Sequence, residues 1–304
     1  MRRYDKHPLP LEEQVQLLKE RGLAISDDLQ ARACLSKVQY SRLRPYWHPF
    51  EEDKVHHRFR KGASFDEVTR LYELDRHLRY VVLEGLEYVE ISLRSQWAYH
   101  LAQGHGPMAY LEPHIHERLD HHLQNLEALA REWRRASKDD VIFRHYRVEY
   151  HEAWPPIWFA CEVMSFGTLS RFFANLRDIP LSQAIAAPFG MPHSFLKEAV
   201  KHLVVVRNIA AHHGRLWDRE ISAYTLPYVR KNPRELKEAM ERATHPQRLF
   251  RTLSLLLLLM KNLGRDGEWR GRLFDVLSQY GPYLQERMGF PPGFRGLTLW
   301  QGMP

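Results

Sequence analysis

Leu71-Tyr72-Glu73-Leu74-Asp75-Arg76-His77-Leu78-Arg79-Tyr80-Val81-Val82-Leu83-Glu84-Gly85-Leu86-Glu87-Tyr88-Val89-Glu90-Ile91-Ser92-Leu93-Arg94-Ser95-Gln96-Trp97 is the stretch on which the fold turns. Leu71, Leu74, Leu78, Val82, Leu86, Val89, Leu93 and Trp97 recur at spacings of three and four, which is the period of one helix face. The pattern predicts a single long helix from Phe65 to Ala102. Asp75–Arg79 and Glu90–Arg94 add i,i+4 ion pairs along it. Gly85 is either tolerated inside this helix or marks a close helix contact.

Working outward, the same reasoning predicts helices at 11–21, 27–36, 114–136, 157–175, 194–214, 233–243, 246–263 and 267–287. Residues 37–50, with two prolines among aromatics and arginines, read as a turn and packed irregular structure. Gly104 to Pro113 reads as a loop, and Ser137 to His151 as a charged, partly exposed stretch. No period-2 run of useful length occurs, so the expected class is all-α, a helical bundle. A soft boundary near residue 60 divides an accessory helical region, 1–60, from the main helical domain, 61–290. The Gly- and Pro-rich tail, 291–304, is expected to be loosely held.

Composition narrows the function without naming it. Lys and Arg number 44 against 37 Asp and Glu in 304 residues, a net +7, which suits a polyanionic partner without requiring one. Cys34 and Cys161 form no framework, and a reducing cytoplasm is the expected compartment. The amino terminus has no apolar core of a signal peptide. The longest apolar run, Leu253 to Met260, falls far short of the roughly 20 residues of a membrane span, so a buried helix is expected and no membrane partner. His56-His57, His114-x-His116 and His121-His122 lack thiolate or carboxylate ligands at matching spacings, so no metal is expected. No phosphate-binding loop or dinucleotide fingerprint is found, and no cofactor is expected.

The chemistry concentrates in Arg207-Asn208-Ile209-Ala210-Ala211-His212-His213-Gly214-Arg215-Leu216-Trp217. Arginine holds phosphate and neutralises charge developing on it. Histidine gives or takes a proton near neutral pH, and asparagine orients either partner. On a wheel of about 100° per residue, Leu203, Val206, Ala210, His213 and Trp217 share the core-facing side. Lys201, Asn208, His212 and Arg215 share the opposite, polar side, and Arg207 lies between. His212 is therefore the preferred reactive histidine, and His213, on the apolar side, is the second candidate.

Val206-Arg207-Asn208-Ile209-Ala210-Ala211-His212-His213-Gly214-Arg215-Leu216-Trp217-Asp218-Arg219 resembles the signature of the Abi-like (AbiD/AbiF) abortive-infection family, bacterial phage-defence proteins of the HEPN superfamily. Further blocks match in order. They are Leu18 to Leu23; Tyr40 to Phe50; Leu71 to Arg79 with Glu90 to Arg94; and Pro156-Ile157-Trp158 with Glu162 and Ser165 to Ser170. Ser41 and Arg44-Pro45 depart from the family's amino-terminal block.

The resemblance implies that 61–290 is a HEPN-like core, and that the chain is a metal-independent endoribonuclease acting as a phage-defence toxin. In that chemistry the substrate's 2′-hydroxyl attacks the phosphorus, so a base, an acid and a cation are wanted. One copy offers one histidine and one arginine, which points to a C2 homodimer with the site between equivalent helices. On this basis Arg207 is the phosphate clamp, His212 the general acid/base and Asn208 a supporting hydrogen bonder. Glu162, and less so Glu90, are carboxylates that could orient Arg207 or a histidine, although Glu90 could equally serve only its ion pair with Arg94. Lys201 and Arg215 could bind flanking RNA phosphates. Arg42, Tyr46 and Trp47, with Tyr40, interleave aromatic and basic groups in the way of an RNA-stacking surface or of a small aromatic core. A noncoding RNA antitoxin or regulator is the partner the resemblance suggests. The competing reading is a non-catalytic RNA-binding or sensor module of a defence system.

Overall fold

The computed structural model describes residues 7–139, 141–227 and 231–303. The first six residues of the accessory region, Asp140 of the charged stretch and Pro304 of the tail lie outside the described residues. The chain divides into two compact units, Met1–His77 and Leu78–Pro304.

The first unit carries α1 (Leu11–Glu20), α2 (Asp28–Val38), α3 (Tyr40–Trp47), the strands β1 (Glu51–Asp53) and β2 (Arg58–Phe59), and the start of α4 (Phe65–His105). Asp27 caps α2 by accepting from the Leu29 and Gln30 backbone N–H groups at 2.9 and 3.0 Å. Ser64 and Glu67 form a reciprocal capping box at the start of α4, with Ser64 N to Glu67 Oε2 at 3.0 Å and Glu67 N to Ser64 Oγ at 3.2 Å. The 37–50 stretch is helical where irregular structure was expected. Pro45 sits inside α3 and removes one ladder bond. Burial of Leu43, Tyr46 and Trp47 outweighs that loss, since each such side chain contributes about 1.5–3 kcal/mol. β1 and β2 form an irregular antiparallel pair, Glu51 opposite Phe59, and are the one sheet among the described residues. The class is all-α, as the periodicity predicts.

The second unit holds the rest of α4, then α5 (Leu119–Asp139), α6 (Val141–Glu149), α7 (Ile157–Val163), α8 (Phe166–Ala174), α9 (Ile179–Ala186), α10 (His193–Ala211), α11 (Arg234–Arg242), α12 (Leu249–Asn262), α13 (Gly267–Ser278) and α14 (Pro282–Glu286). Leu78, Val82, Leu86, Val89, Leu93 and Trp97 are fully buried, so the apolar stripe of α4 is the face that packs. Gly85 is a close helix contact. A Cβ there would stand 2.8 Å from the Trp269 ring, whose Nε1 donates to the Val81 carbonyl at 2.8 Å.

Every residue from Leu253 to Met260 in α12 is buried, and no helix among the described residues is long and apolar enough to cross a membrane. The predicted helix 157–175 is two helices. Met164 turns extended and Ser165 caps α8 by accepting from the Thr168 N–H at 3.2 Å. Likewise 267–287 breaks into α13 and α14. The carboxy-terminal segment is anchored where a loose tail was expected. Phe294, Leu299 and Trp300 are buried, Trp300 stacks on Phe250, and its Nε1 donates to Ser254 Oγ at 3.0 Å. Irregular backbone has not prevented its aromatic side chains from filling the core.

Candidate functional site

The end of α10 is where the Arg-Asn-His set comes together. The helix stops at Ala211, three residues short of the expected end, and His212 is its C-cap. His213 follows at φ +58°, donates its N–H to the Ala210 carbonyl at 3.0 Å, and Gly214 donates to the Ile209 carbonyl at 2.7 Å. These two bonds make a Schellman motif with a histidine in the left-handed position that glycine usually takes. A Cβ on Gly214 would stand 2.9 Å from the Ile209 carbonyl oxygen, so the glycine permits the close approach that ends the helix.

The early stop corrects the wheel. Beyond Ala211 the helical phase no longer applies, and His213 is exposed, not part of the apolar face. His212 is exposed as expected. Leu216 and Trp217 remain buried, and Trp217 Nε1 donates to the Leu284 carbonyl at 3.2 Å, which moors the segment on its far side.

Arg207 is held from two directions. Its guanidinium donates to Asn208 Oδ1 at 3.0 Å and pairs with Glu90 Oε2 at 3.5 Å, while its side chain stays 30% exposed. Glu90 is more enclosed and its other oxygen accepts from Arg94 at 2.6 Å. Arg94 in turn donates to the Cys161 and Met164 carbonyls at the end of α7, where a cation complements the helix dipole. A fixed relay therefore runs from α7 through Arg94 and Glu90 to Arg207 and Asn208. Beside it lies a hollow of about 310 Å³ walled by Leu83, Glu87, Glu90, Ile91, Arg94 and Arg207.

The carboxylate that reaches Arg207 is thus Glu90. Glu162 is exposed and accepts a long contact from the Cys161 thiol, 3.9 Å away. Burial pushes that thiol up to about 12, so it stays protonated. Lys201 lies on the same side of α10 and donates to Glu198 at 2.7 Å. Arg215 is engaged with Asp218 at 3.7 Å and lies over the Trp217 ring. Asp218, its side chain 8% exposed and its backbone left-handed at φ +52°, also pairs with Arg248 and Arg287. That hub was not anticipated, because its partners lie far along the chain.

The aromatic set of the first unit does not form a stacking surface. Tyr46 and Trp47 are each 2% exposed, and the Tyr46 hydroxyl donates to Asp75 at 2.6 Å. Their aromatic faces are spent on packing, and Arg42 alone of the three is exposed, donating to the Tyr72 hydroxyl at 3.3 Å. Among the described residues no three of His, Cys, Asp and Glu are grouped closely enough to hold a metal ion.

The family model for Abi-like proteins matches residues 33–218, which takes in α4, the relay and the whole Arg207–Asp218 segment. The chain belongs to the Abi-like family. No curated protein and no solved structure is significantly similar to it. The Abi-like match ends at Asp218, the residue that ties the signature to Arg248 and Arg287 of the remaining helices.

Proposed function

We propose that this Abi-like protein is a HEPN-type, metal-independent endoribonuclease that acts in the cytoplasm as a phage-defence toxin, working as a homodimer. The observation that carries the reading is the exposed end of α10. A partly open guanidinium is pre-oriented by Glu90 and Asn208, and an exposed imidazole follows five positions later. A preoriented cation stabilises charge that develops in a transition state without reorganising. Family membership supports the defence role.

In the mechanism, the 2′-hydroxyl of RNA attacks the adjacent phosphorus and loses its proton to a base. The bond to the 5′-oxygen breaks, and an acid protonates that oxygen, leaving a 2′,3′-cyclic phosphate. His212 of one copy serves as base and His212 of the other as acid, while Arg207 clamps the phosphate. Ile91, 52% exposed on the wall of the hollow, suits burial against a second copy. A noncoding RNA is the partner that would silence such a toxin.

The test is cleavage of RNA in EDTA by the full chain and by Arg207→Ala/His212→Ala, alongside growth of an expressing bacterial host. The expected result is cleavage and growth arrest by wild type, with the double variant at least about 100-fold slower and harmless. If both proteins bind RNA and neither cuts it, the chain is a non-catalytic RNA-binding module. Equal toxicity of the two proteins would reject the nuclease reading.

A further inference from the structure

Away from the Arg207 hollow, α5, α8 and α10 enclose a groove of about 500 Å³ that no part of the proposed reaction uses. Arg118, Arg171 and Lys201 line it against one carboxylate, Glu117. At Arg171 it meets a second hollow of about 320 Å³ that adds Arg131 and Arg135 against Glu132. Five cations line this path with Glu117 and Glu132; Arg118 is paired with Asp120 and Lys201 with Glu198 outside it, which leaves a smaller positive excess suited to a phosphate backbone.

The walls also fit a base. Val204 and Val205 supply an apolar floor. Tyr224 stands at the edge, 58% exposed, with its backbone pinned at φ +52° because its carbonyl hydrogen-bonds the buried His202 ring at 2.9 Å. A ring held outward on fixed backbone is a stacking platform. Asn125, 1% exposed, supplies an amide. Its Oδ1 accepts from Arg171 Nε at 3.0 Å, and since arginine only donates, this fixes which atom is oxygen. Its Nδ2 is left buried without a hydrogen-bond partner, and a base carbonyl or ring nitrogen in the groove would reach it only on a shift of the side chains that cover it.

Position links the groove to the site. Lys201, Val205 and Asn208 fall within about 60° of one another on α10, and Lys201 lies only about 10 Å along the axis from Asn208. We propose that this groove binds a nucleotide unit of single-stranded RNA flanking the scissile phosphate, its phosphate on Arg118, Arg171 and Lys201 and its base between Tyr224 and the valine floor. The assignment rests on the nuclease reading for the direction in which the strand runs. Binding itself can be measured without cleavage.

The experiment titrates a labelled single-stranded RNA 12-mer with full-length His212→Ala protein over a range of KCl concentrations. Against it stand the same protein carrying Arg118→Ala/Lys201→Ala, Arg131→Ala/Arg135→Ala, or Tyr224→Ala. These side chains are surface-exposed or half-exposed, so the fold is expected to survive, and thermal unfolding checks it. Each arginine or lysine pair should weaken binding at least about tenfold and lower the slope of log K against log salt by about 1.4. Tyr224→Ala should weaken it about tenfold with the slope unchanged. Unaltered affinity and slope in both cation pairs would overturn the proposal. So would AMP binding as tightly as the 12-mer and displacing it, which would make the groove a site for a free nucleotide. Failure of wild type to cut RNA that it binds here would reject the nuclease and leave the groove standing.

Discussion

His202 sits at the middle of α10 and His212 ten positions on at its C-cap, and the protein treats them in opposite ways. His202 is 4% exposed, with its Nδ1 on the Tyr224 carbonyl at 2.9 Å and its Nε2 on the Thr252 hydroxyl at 2.8 Å. A carbonyl only accepts, so Nδ1 carries the proton and Nε2 receives one from Thr252. Burial lowers this ring to about 4, so it is neutral near pH 7. His212 is the C-cap, exposed, on a segment that Arg207, Asn208 and Glu90 organise. A histidine that titrates usefully must be reachable by solvent and substrate. A histidine that crosslinks a core must not titrate. The helix holds one imidazole in its core and leaves the other exposed by changing face and then ending.

The strongest way to break this contrast is His202→Leu. It leaves the Tyr224 carbonyl and the Thr252 hydroxyl without their ring partner, at about 1–3 kcal/mol each, so a loss of about 2–6 kcal/mol is expected at pH 7. At saturating RNA, cleavage per folded molecule should be unchanged, while RNA binding weakens because the Tyr224 carbonyl loses the ring that pins it. The pH dependence sharpens the point. Between about 4 and 6.5 the unfolded ring binds a proton that the folded ring refuses, so wild-type stability falls as pH falls through that window. The penalty approaches about 3 kcal/mol near pH 4. The leucine variant escapes it, so urea midpoints of the two proteins should converge on acidification. His116, also lowered to about 4 by burial and then by His122 stacked 4.0 Å away, stays acid-sensitive in both proteins. A constant gap from pH 7 to pH 5 would show that His202 is not a buried neutral ring.

Much of this was legible in the chain, and the illegible parts share a cause. The α4 stripe and the all-α class follow from period alone; His212 is exposed as the wheel predicts, although it stands just past the last helical residue. The breaks were missed where one residue overrides a period. Ser165 caps a new helix inside an apolar run, and Gly214 admits the close turn that exposes His213. Tyr46 and Trp47 carried a pattern that serves either a surface or a core, and only the packed structure chooses. The Glu90–Arg207 link ranks below Glu162 in sequence because Glu90 has a local partner, Arg94, that accounts for it. Asp218 gave no signal, because ion pairs to Arg248 and Arg287 have no period.

Glu90→Gln tests whether the His212 end of the helix depends on positioning as well as on its own groups. The amide keeps an oxygen for Arg94 and turns a donor toward Arg207, which donates already. Arg207 then loses its anchor, and kcat should fall about tenfold, near 1.4 kcal/mol of barrier. The decisive measurement is a double-mutant cycle. If Glu90 acts through the guanidinium, Glu90→Gln has no further effect on cleavage in an Arg207→Ala background. An equal loss in both backgrounds would make Glu90 a stability residue for α4 and α7.

The smallest effect separates the two adjacent histidines. His213 holds φ +58°, where an L side chain costs about 1–2 kcal/mol and glycine costs none. Glycine also gives the unfolded chain more freedom, which offsets about 0.5–1 kcal/mol. His213→Gly should therefore stabilise the fold by only about 0.5 kcal/mol, a rise in Tm of about 1–2 °C. Its value lies in the activity that accompanies it. The Schellman bonds run through backbone atoms of His213 and Gly214 and survive the change, so the helix end and the position of His212 are preserved. Cleavage near the wild-type rate, with a slightly higher Tm, leaves proton transfer to His212. A fall to the level of His212→Ala in a protein of undiminished stability moves that role one residue along, to a ring that the strained backbone itself holds out to solvent.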